Sequence, residues 1–408
     1  ALNAGHRKGC WCSSIMKNKS VIIYAGTNGF PFGLAQMERQ KLIARGLQEA
    51  GAEVIILCRY GLQDEADHKT EFDSNVYNGI KFVYASGNPY RPGSFIKRNI
   101  QKFKGLFHEF KIIRKQKSKS GLTAILVSTL AFYNVLYYKI ISLVTGVPLV
   151  LDNVEYFSSM NIRKSVLKKL DNYLYDHYSH VLADKVVGIS DFLISVVQKR
   201  NPLKPVIKIP AIVDFSQFKS DSIAGEDFFL YCGNAGYFQV INFVISSFEK
   251  IENRGFALYL VVNGNETDMN TVWNRINVSP RKDLIHIFSR LPVQELIDLY
   301  MTSKALLIPL RNTKQDIARF PHKIGEYTAA GKPIVSTNIG EIGKYFTDGA
   351  TALLADQYSE STFAAKMQSV IDNPVQTRQI GVHGHELGKG NFDFLVLGKK
   401  LNHFISHA

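Results

Sequence analysis

Short apolar runs alternate with longer amphipathic segments along most of the chain. Val21 to Ala25 and Val54 to Cys58 read as buried strands, and Leu34 to Ala50 between them predicts a helix. The second half restarts the same pattern with the apolar runs Phe228 to Cys232 and Leu258 to Val262. Strands that alternate with helices predict an α/β protein with parallel sheets covered by helices on both faces.

The restart divides the chain of 408 residues into two domains of ordinary size, each long enough for its own core. We expect the domains to span residues 16–214 and 227–385, with a polar hinge at 215–226. Residues 386–408 carry a last helical pattern. Residues 1–15 have neither apolar periodicity nor a signal-peptide core, so we interpret them as a leader or cloning remnant.

Composition describes a globular protein, because 46% of the residues are hydrophobic and 21% are charged. Cys58 and Cys232 each end an apolar run, which predicts reduced core thiols in a cytosolic protein. Cys10 and Cys12 have the wrong spacing for a zinc knuckle, so no metal site is predicted there.

The formal net charge of +14 attracts nucleic acid, anionic membranes or phosphorylated substrates. Between Lys97 and Lys119 there are nine Lys or Arg residues against the single acid Glu109, and apolar residues recur there near helical spacing. This pattern predicts a basic amphipathic helix. It is compatible with a helix in the headgroup region of a bilayer and with a solvated helix packed on its own domain.

The uncharged stretch from Ser120 to Tyr138 reaches the length of a membrane span. Polar residues interrupt it, however, and Gly146-Val147-Pro148 follows. We therefore predict a fully buried unit of strand Ala124 to Val127, helix Phe132 to Thr145 and strand Leu149 to Leu151.

The most informative segment runs from Arg319 to Thr337. Pro321 precedes a predicted helix that carries one acid, Glu326, in its first turns. The free N–H groups and dipole of such a helix start, with Arg319 and Lys323 beside it, suit a phosphate or diphosphate. A carboxylate one turn further in can accept two hydrogen bonds from the vicinal diol of a ribose. The alternative is an ordinary helix with a surface glutamate.

The string Phe-Pro-x-Lys-x-x-Glu-Tyr-x-Ala-x-Gly-Lys-Pro-Ile-Val-x-Thr at 320–337, with Gly-Glu-Ile at 340–342, resembles the donor-site motif of family-4-type, retaining bacterial glycosyltransferases. The resemblance extends to the first loop, to Ile-Pro-x-x-Val-Asp at 209–214 and to the C-terminal end. It implies a GT-B fold, in which two Rossmann-like domains with parallel sheets face each other across a cleft. The acceptor would lie on the first domain and the donor on the second, with residues 386–408 crossing back to the first.

The resemblance implies transfer of a sugar from a nucleotide-sugar donor to a lipid-linked or polysaccharide acceptor, with retention and without a metal or other cofactor, in bacterial surface-polysaccharide synthesis. Together with the basic segment 95–119, it predicts a cytoplasmic protein that sits peripherally on the inner face of the cell membrane and binds no nucleic acid. Two alternatives are a GT-B sugar-nucleotide epimerase and a non-enzymatic basic protein that binds membranes or nucleic acid.

On the donor side, the resemblance assigns the diphosphate to Arg319, Lys323 and the backbone from Phe320 to His322. It assigns the ribose to Glu326 and the base to the loop at Arg290. His322 would contact the donor sugar or simply cap the helix. Many relatives carry an earlier glutamate at the position of Ala318, and an Arg and a Lys within the stretch that here runs from Gly233 to Gln239. Arg319 and Lys323 would therefore have to supply the missing positive charge.

Gly29 and Gly33 lie in the first loop, and Gly233 follows the first strand of the second domain. Their missing side chains would permit close approach to the donor, although a turn that needs positive φ is the alternative for the first loop. On the acceptor side, polar residues from Asp152 to Tyr156 are expected to point into the cleft, with Glu155 as the acceptor contact or proton acceptor. A surface turn that caps a helix is the alternative there.

Overall fold

The computed structural model describes residues 20–33, 35–62, 75–119, 121–157, 165–219, 227–252 and 255–407. The predictions made for residues 1–15, with Cys10 and Cys12, lie outside these ranges. The predicted hinge at 215–226 is described only as far as residue 219, where a short 3₁₀ turn spans Phe215–Gln217.

The first domain is built on an eight-stranded sheet in the order β3-β4-β2-β1-β5-β6-β7-β8. Only β3 runs antiparallel to its neighbour among these pairings. The strands are β1 Val21–Ala25, β2 Glu53–Cys58, β3 Val76–Tyr77, β4 Ile80–Tyr84, β5 Leu122–Val127, β6 Leu149–Asn153, β7 Lys185–Gly188 and β8 Val206–Lys208. The helices are α1 Ala35–Glu49, α2 Phe95–Lys119, α3 Phe132–Thr145, α4 Val166–Leu182 and α5 Asp191–Arg200.

The second domain carries a fully parallel six-stranded sheet in the order β11-β10-β9-β12-β13-β14. Its strands are β9 Phe228–Asn234, β10 Ala257–Asn263, β11 Ile285–Phe288, β12 Ala305–Ile308, β13 Ile334–Thr337 and β14 Leu353–Ala355. Its helices are α6 Phe238–Lys250, α7 Glu266–Asn277, α8 Val293–Thr302, α9 Lys314–Ala318, α10 Lys323–Ala330, α11 Ile342–Tyr345, α12 Glu360–Asp372 and α13 Pro374–Phe392. Two parallel α/β domains are therefore present, which confirms the predicted fold class.

A last helix, α14 Phe394–His407, packs against α1 on the first domain. The contact is close enough that a Cβ added to Gly46 would lie 2.5 Å from the backbone oxygen of Phe394. Where the chain returns from the second domain to the first, its backbone is hydrogen-bonded to Val213, at the earlier passage between the domains. Val213 N–H donates to Phe392 O at 3.0 Å, and Phe394 N–H donates to Val213 O at 3.0 Å. The two places where the chain passes between domains are thus joined by hydrogen bonds.

Helices α1 and α14 cover one face of the first sheet, and α2, α3 and α4 cover the other. The predicted unit of strand, helix and strand is present as β5, α3 and β6, but the prediction that it is fully buried is wrong. Only one side of α3 faces the sheet, through residues such as Val135 and Ile141, whereas Ile140 and Leu143 are exposed. Apolar content alone cannot distinguish a buried helix face from an exposed one. None of the described helices is both long and apolar enough to cross a membrane.

Candidate active site

Helix α10 presents a compact polar cluster at its start. It begins after Pro321 and ends at Gly331, which adopts the left-handed conformation that closes helices, with φ +67°. Lys323 Nζ donates to Glu326 Oε2 at 2.8 Å and to the Tyr300 hydroxyl at 2.8 Å. The Tyr300 hydroxyl, from α8, donates to the same carboxylate oxygen at 2.8 Å.

The cluster keeps Glu326 ionised. Burial alone would raise the pKa of Glu326, but the charge of Lys323, the nearby His322 and the hydrogen bonds from Lys323 and Tyr300 lower that pKa to about 2. Glu326 is therefore a fixed acceptor, and its Oε1 atom makes only a long 3.8 Å contact with His322 Nε2. A carboxylate held in this way can accept hydrogen bonds from a diol.

His322 and Phe320 occupy different environments beside this cluster. His322 is the N-cap residue of α10, and burial lowers the pKa of its imidazole. The charges of Arg39 and Glu38, near the start of α1, also influence the pKa of this imidazole. The Phe320 side chain is buried and stacks on Tyr345, so only its backbone is available to a ligand.

Arg319 lies at the carboxyl edge of the second sheet. Its guanidinium sits over the Tyr237 ring, 5.3 Å from the ring centroid, and its Nη2 is 3.6 Å from Asp316 Oδ1. That Nη2 is buried and has no hydrogen-bond partner. A half-buried guanidinium with one buried, unused donor is suited to an incoming anion.

The structure adds a cation that sequence reasoning missed. Arg311 forms a two-pronged ion pair with Asp316, with Nε to Oδ2 at 2.8 Å and Nη2 to Oδ1 at 3.2 Å. Its Nη1 lies 3.5 Å from Gln239 Oε1, so Arg311 reaches the stretch after β9 where relatives carry cations. Arg311 follows β12, the neighbour of β9 in the sheet. Its place after the carboxyl end of an adjacent strand was the signal that could have identified it.

Glu155 follows β6 on the first domain and faces this group from across the domain boundary. Burial raises the pKa of its carboxyl group, and the positive charge of Arg319 opposes that rise. Its Oε1 atom is buried without a hydrogen-bond partner. The first domain thus contributes one unsatisfied acid opposite the cations of the second.

Asp152 contradicts the expectation for its segment. It lies within β6, and its buried carboxylate accepts hydrogen bonds from Arg39 Nη2 at 3.0 Å and from the Tyr24 hydroxyl at 2.9 Å. Side chains alternate between the two faces of a strand, so a segment of polar residues that includes strand positions does not point one way. Asp152 is an anchor inside the first domain and does not point into the cleft.

The two glycines of the first loop are required for different reasons. Gly29 has φ +84°, as the turn interpretation predicts, and a Cβ there would also press on Leu62 at 3.2 Å. Gly33 has no positive φ. A Cβ at Gly33 would lie 2.9 Å from the Met37 Cβ, so it permits close packing of the loop on α1.

Gly233 lies within β9, which continues to Asn234, so the prediction that Gly233 follows this strand is wrong. A Cβ on Gly233 would lie 2.5 Å from the Tyr231 hydroxyl, which gives the glycine a packing role. Arg290 adopts a left-handed backbone with φ +55°, and its N–H donates to Asn263 Oδ1 at 2.8 Å. The loop after β11 is therefore held to the end of β10.

Among the described residues, no group of three or more His, Cys, Asp or Glu side chains could hold a metal ion. Cys58 and Cys232 are free and buried, as predicted for core thiols.

The two parallel α/β domains, with these residues after the strands of both sheets, have the architecture of the GT-B fold. Residues 213–385, in the second domain, match the model of the family described as glycosyl transferases group 1.

One relative is also described as a glycosyltransferase. An uncharacterized glycosyltransferase of Methanocaldococcus jannaschii is 22% identical over 218 residues, which cover 52% of this chain and 56% of that relative. The match thus spans little more than half the length of that protein.

Solved structures share the fold over most of the chain. HepE of Anabaena, solved in complex with UDP and glucose, superposes with a TM-score of 0.71 at 12% identity, over 95% of this chain and 100% of that one. WaaG, a glycosyltransferase involved in lipopolysaccharide biosynthesis, superposes with a TM-score of 0.62 at 14% identity, over 95% of this chain and 100% of that one. At these identities the likeness establishes the fold alone.

Proposed function

We propose that this protein transfers a sugar, with retention, from a nucleotide-sugar donor to a lipid-linked or polysaccharide acceptor in surface-polysaccharide synthesis. The observation that carries the proposal is the Lys323–Glu326–Tyr300 cluster at the start of α10. Glu326 is held ionised by its neighbours and is suited to accept hydrogen bonds from the donor ribose. The matching family and the UDP bound in HepE support a nucleotide-sugar as the donor.

The leaving group of this reaction is a nucleoside diphosphate, so the protein must stabilise negative charge that develops on its β-phosphate. Arg319 is our first candidate, because it has a buried donor without a partner. Lys323 is the second, although it must exchange part of its contact with Glu326 for the phosphate. In this proposal the reaction needs no metal or other cofactor.

The acceptor would bind on the first domain beside Glu155, which takes the proton of the attacking hydroxyl or contacts the acceptor. The proposed cellular place is the cytoplasmic face of the cell membrane, with residues 95–119 towards anionic lipid. The net charge of +14 is consistent with such a surface.

Donor binding tests the proposal. A panel of nucleotide sugars, with UDP-sugars first, is screened for a rise in melting temperature, because a ligand bound only by the native state stabilises it. With the donor so found, Glu326→Ala is expected to raise the dissociation constant by a factor of roughly ten to one hundred, since a hydrogen-bonded charged acceptor contributes about 1.5 to 3 kcal/mol.

Calorimetry of Glu326→Ala, beside Glu252→Ala as an exposed control on the same domain, measures this change. Unchanged affinity in Glu326→Ala would remove the ribose assignment, and stabilisation by none of the nucleotide sugars would count against the whole proposal.

A further inference from the structure

Helices α2, α3 and α4 present an apolar surface to solvent. They lie side by side with α3 in the middle, and each leaves large apolar side chains uncovered. The surface, here called the three-helix face, includes Phe103 and Phe107 of α2, Leu143 and Val144 of α3, and Leu167 and Leu170 of α4. Leu143 is 71% exposed and Leu167 is 79% exposed. Exposed apolar surface that continues over neighbouring elements marks an interaction site.

Helix α4 has the reverse of the usual amphipathic arrangement. A helix on a globular domain turns its apolar stripe to the core. The buried side of α4 instead carries polar residues, including Asn172, Asp176 and Ser179, and Asp176 Oδ1 accepts the backbone N–H of Phe157 at 2.9 Å. Several of its apolar residues, including Leu167 and Leu170, face outward, whereas Tyr175 packs in the core of the first domain. This arrangement is expected of a helix whose outer side meets an apolar medium.

The charge on the three-helix face has one sign along α2. Glu109, the only acid of that helix, is buried and accepts a hydrogen bond from Arg59 Nε at 2.8 Å and from the Tyr138 hydroxyl at 2.9 Å. Within α2 itself, the nine basic residues between Lys97 and Lys119 therefore share the outer side of the helix with no acid.

We propose that the three-helix face docks on an anionic lipid bilayer, with its apolar side chains among the acyl chains and the cations of α2 at the headgroups. The inference rests on the membrane location in the proposed function and extends it from α2 to α3 and α4. Lipid is the occupant because it satisfies the apolar and the cationic parts together. A second copy carries the same formal net charge of +14 and would bring like charge towards the cations of α2.

The direction of the helices relates this surface to the candidate active site. Helices α2, α3 and α4 follow β4, β5 and β6, so their first residues lie towards the carboxyl edge of the sheet. Glu155 lies just beyond the end of β6 at the same edge. A docked face would therefore place that edge beside the bilayer, within reach of an acceptor that stays anchored in it.

Vesicle binding by the full chain tests the proposal. Wild type and the double variant Leu143→Ser/Leu167→Ser are sedimented with vesicles of phosphatidylcholine, with and without phosphatidylglycerol. The partition coefficient of the double variant onto anionic vesicles is expected to be about tenfold or more below that of wild type, because two large apolar side chains are no longer transferred from water to lipid. Val278→Ser/Val375→Ser is the matched control, since both valines are exposed on the second domain, and it should bind like wild type.

Four further measurements separate the alternatives. A Tyr133→Trp variant should be quenched by brominated lipid if α3 enters the bilayer. If Leu143→Ser/Leu167→Ser binds like wild type while four Lys→Glu changes on α2 abolish binding, the apolar face is not used and the proposal is overturned. It also fails if wild type sediments as a dimer that the double variant dissociates. Donor affinity, measured in parallel, should not change in any of these variants, so a failed donor-site proposal remains distinguishable.

Discussion

Lys323 Nζ lies 2.8 Å from Oε2 of Glu326, one helical turn further along α10. The Tyr300 hydroxyl contacts both groups, so one hydroxyl from α8 fixes the acid and its cation together. An incoming donor would find Glu326 already ionised and oriented, which lowers the cost of ordering it on binding.

Removing that hydroxyl should loosen the cluster. In Tyr300→Phe the ring remains, but Glu326 loses one hydrogen bond to its ionised form, so its pKa should rise above the value of about 2. Because the folded-state pKa is depressed, Glu326 stabilises the protein above the ordinary value of 4.5, and this contribution is lost as pH falls towards 2. NMR titration of the Glu326 carboxyl carbon measures the pKa. The free energy of unfolding, measured from pH 5 downwards, should fall less in the variant than in wild type. An unmoved pKa would contradict this account.

The cations should act mainly on the chemical step. Arg319→Ala and Lys323→Ala are each expected to lower kcat by about tenfold or more, because the charge they would stabilise grows in the transition state. Lys282→Ala removes an exposed cation of the same domain and serves as the control. Normal turnover in both site variants would place the diphosphate elsewhere.

Arg311 should prove necessary for the geometry of Arg319, because Asp316 contacts both. Arg311→Ala is expected to weaken donor binding several-fold, whereas Arg311→Lys should recover only part of it, since lysine cannot form the two-pronged pair. Calorimetric titration of the two variants with the same nucleotide sugar measures the difference. Equal affinity in the alanine variant and wild type would leave Arg311 a purely structural role.

Glu155 should impose a pH dependence on catalysis. Burial raises the pKa of its carboxyl group. As pH falls, Glu155 therefore becomes protonated, and can no longer accept a proton, at a higher pH than an exposed glutamate would. The rate should therefore fall as pH drops through that raised pKa. In Glu155→Gln the rate at neutral pH should be greatly reduced and this acid limb absent. A full rate in the variant, with the limb unchanged, would assign the proton to another group.

Asp152 offers a test of stability instead of activity. Its pair with Arg39 is buried, so Asp152→Ala leaves an uncompensated charge inside the first domain and should cost about 3 to 5 kcal/mol of unfolding free energy. Urea unfolding measures this change, with the exposed Asp283→Ala as the control for loss of a carboxylate. A cost below about 1 kcal/mol would mean that the pair is not formed in solution.

Most of the fold can be predicted from the sequence, because the apolar runs are long and clearly separated. The bounds of α3 were predicted to the residue, and α10 ends at Gly331 as its left-handed glycine requires. Strand ends are harder to predict from apolar runs, and the sequence therefore places Gly233 after its strand instead of within it. A glycine after an apolar run fits two interpretations equally well: a turn, or a strand position where a neighbouring ring leaves no room for a side chain. Here the Tyr231 ring occupies that room.

Only part of the candidate site can be predicted from local sequence patterns. Glu326 and Lys323 lie within one turn of a helix, so their contact follows from spacing. Tyr300 comes from α8, and no local pattern places it beside that helix, whereas the only signal for Arg311 is its place after β12. The outward apolar residues of α4 were also missed, because their period is that of any amphipathic helix and gives no sign of which side faces the core.

The hydrogen-bonded contact between Val213 and the backbone on both sides of Asp393 makes the two crossings of the chain act as one pivot. A single tether would let the domains swivel freely, whereas two tethers bonded side by side resist rotation about their own axis and leave bending as the soft motion. Opening of the cleft between the domains would then be a hinge motion about this pivot. Arg319 would return to the same place opposite Glu155 each time the cleft closes.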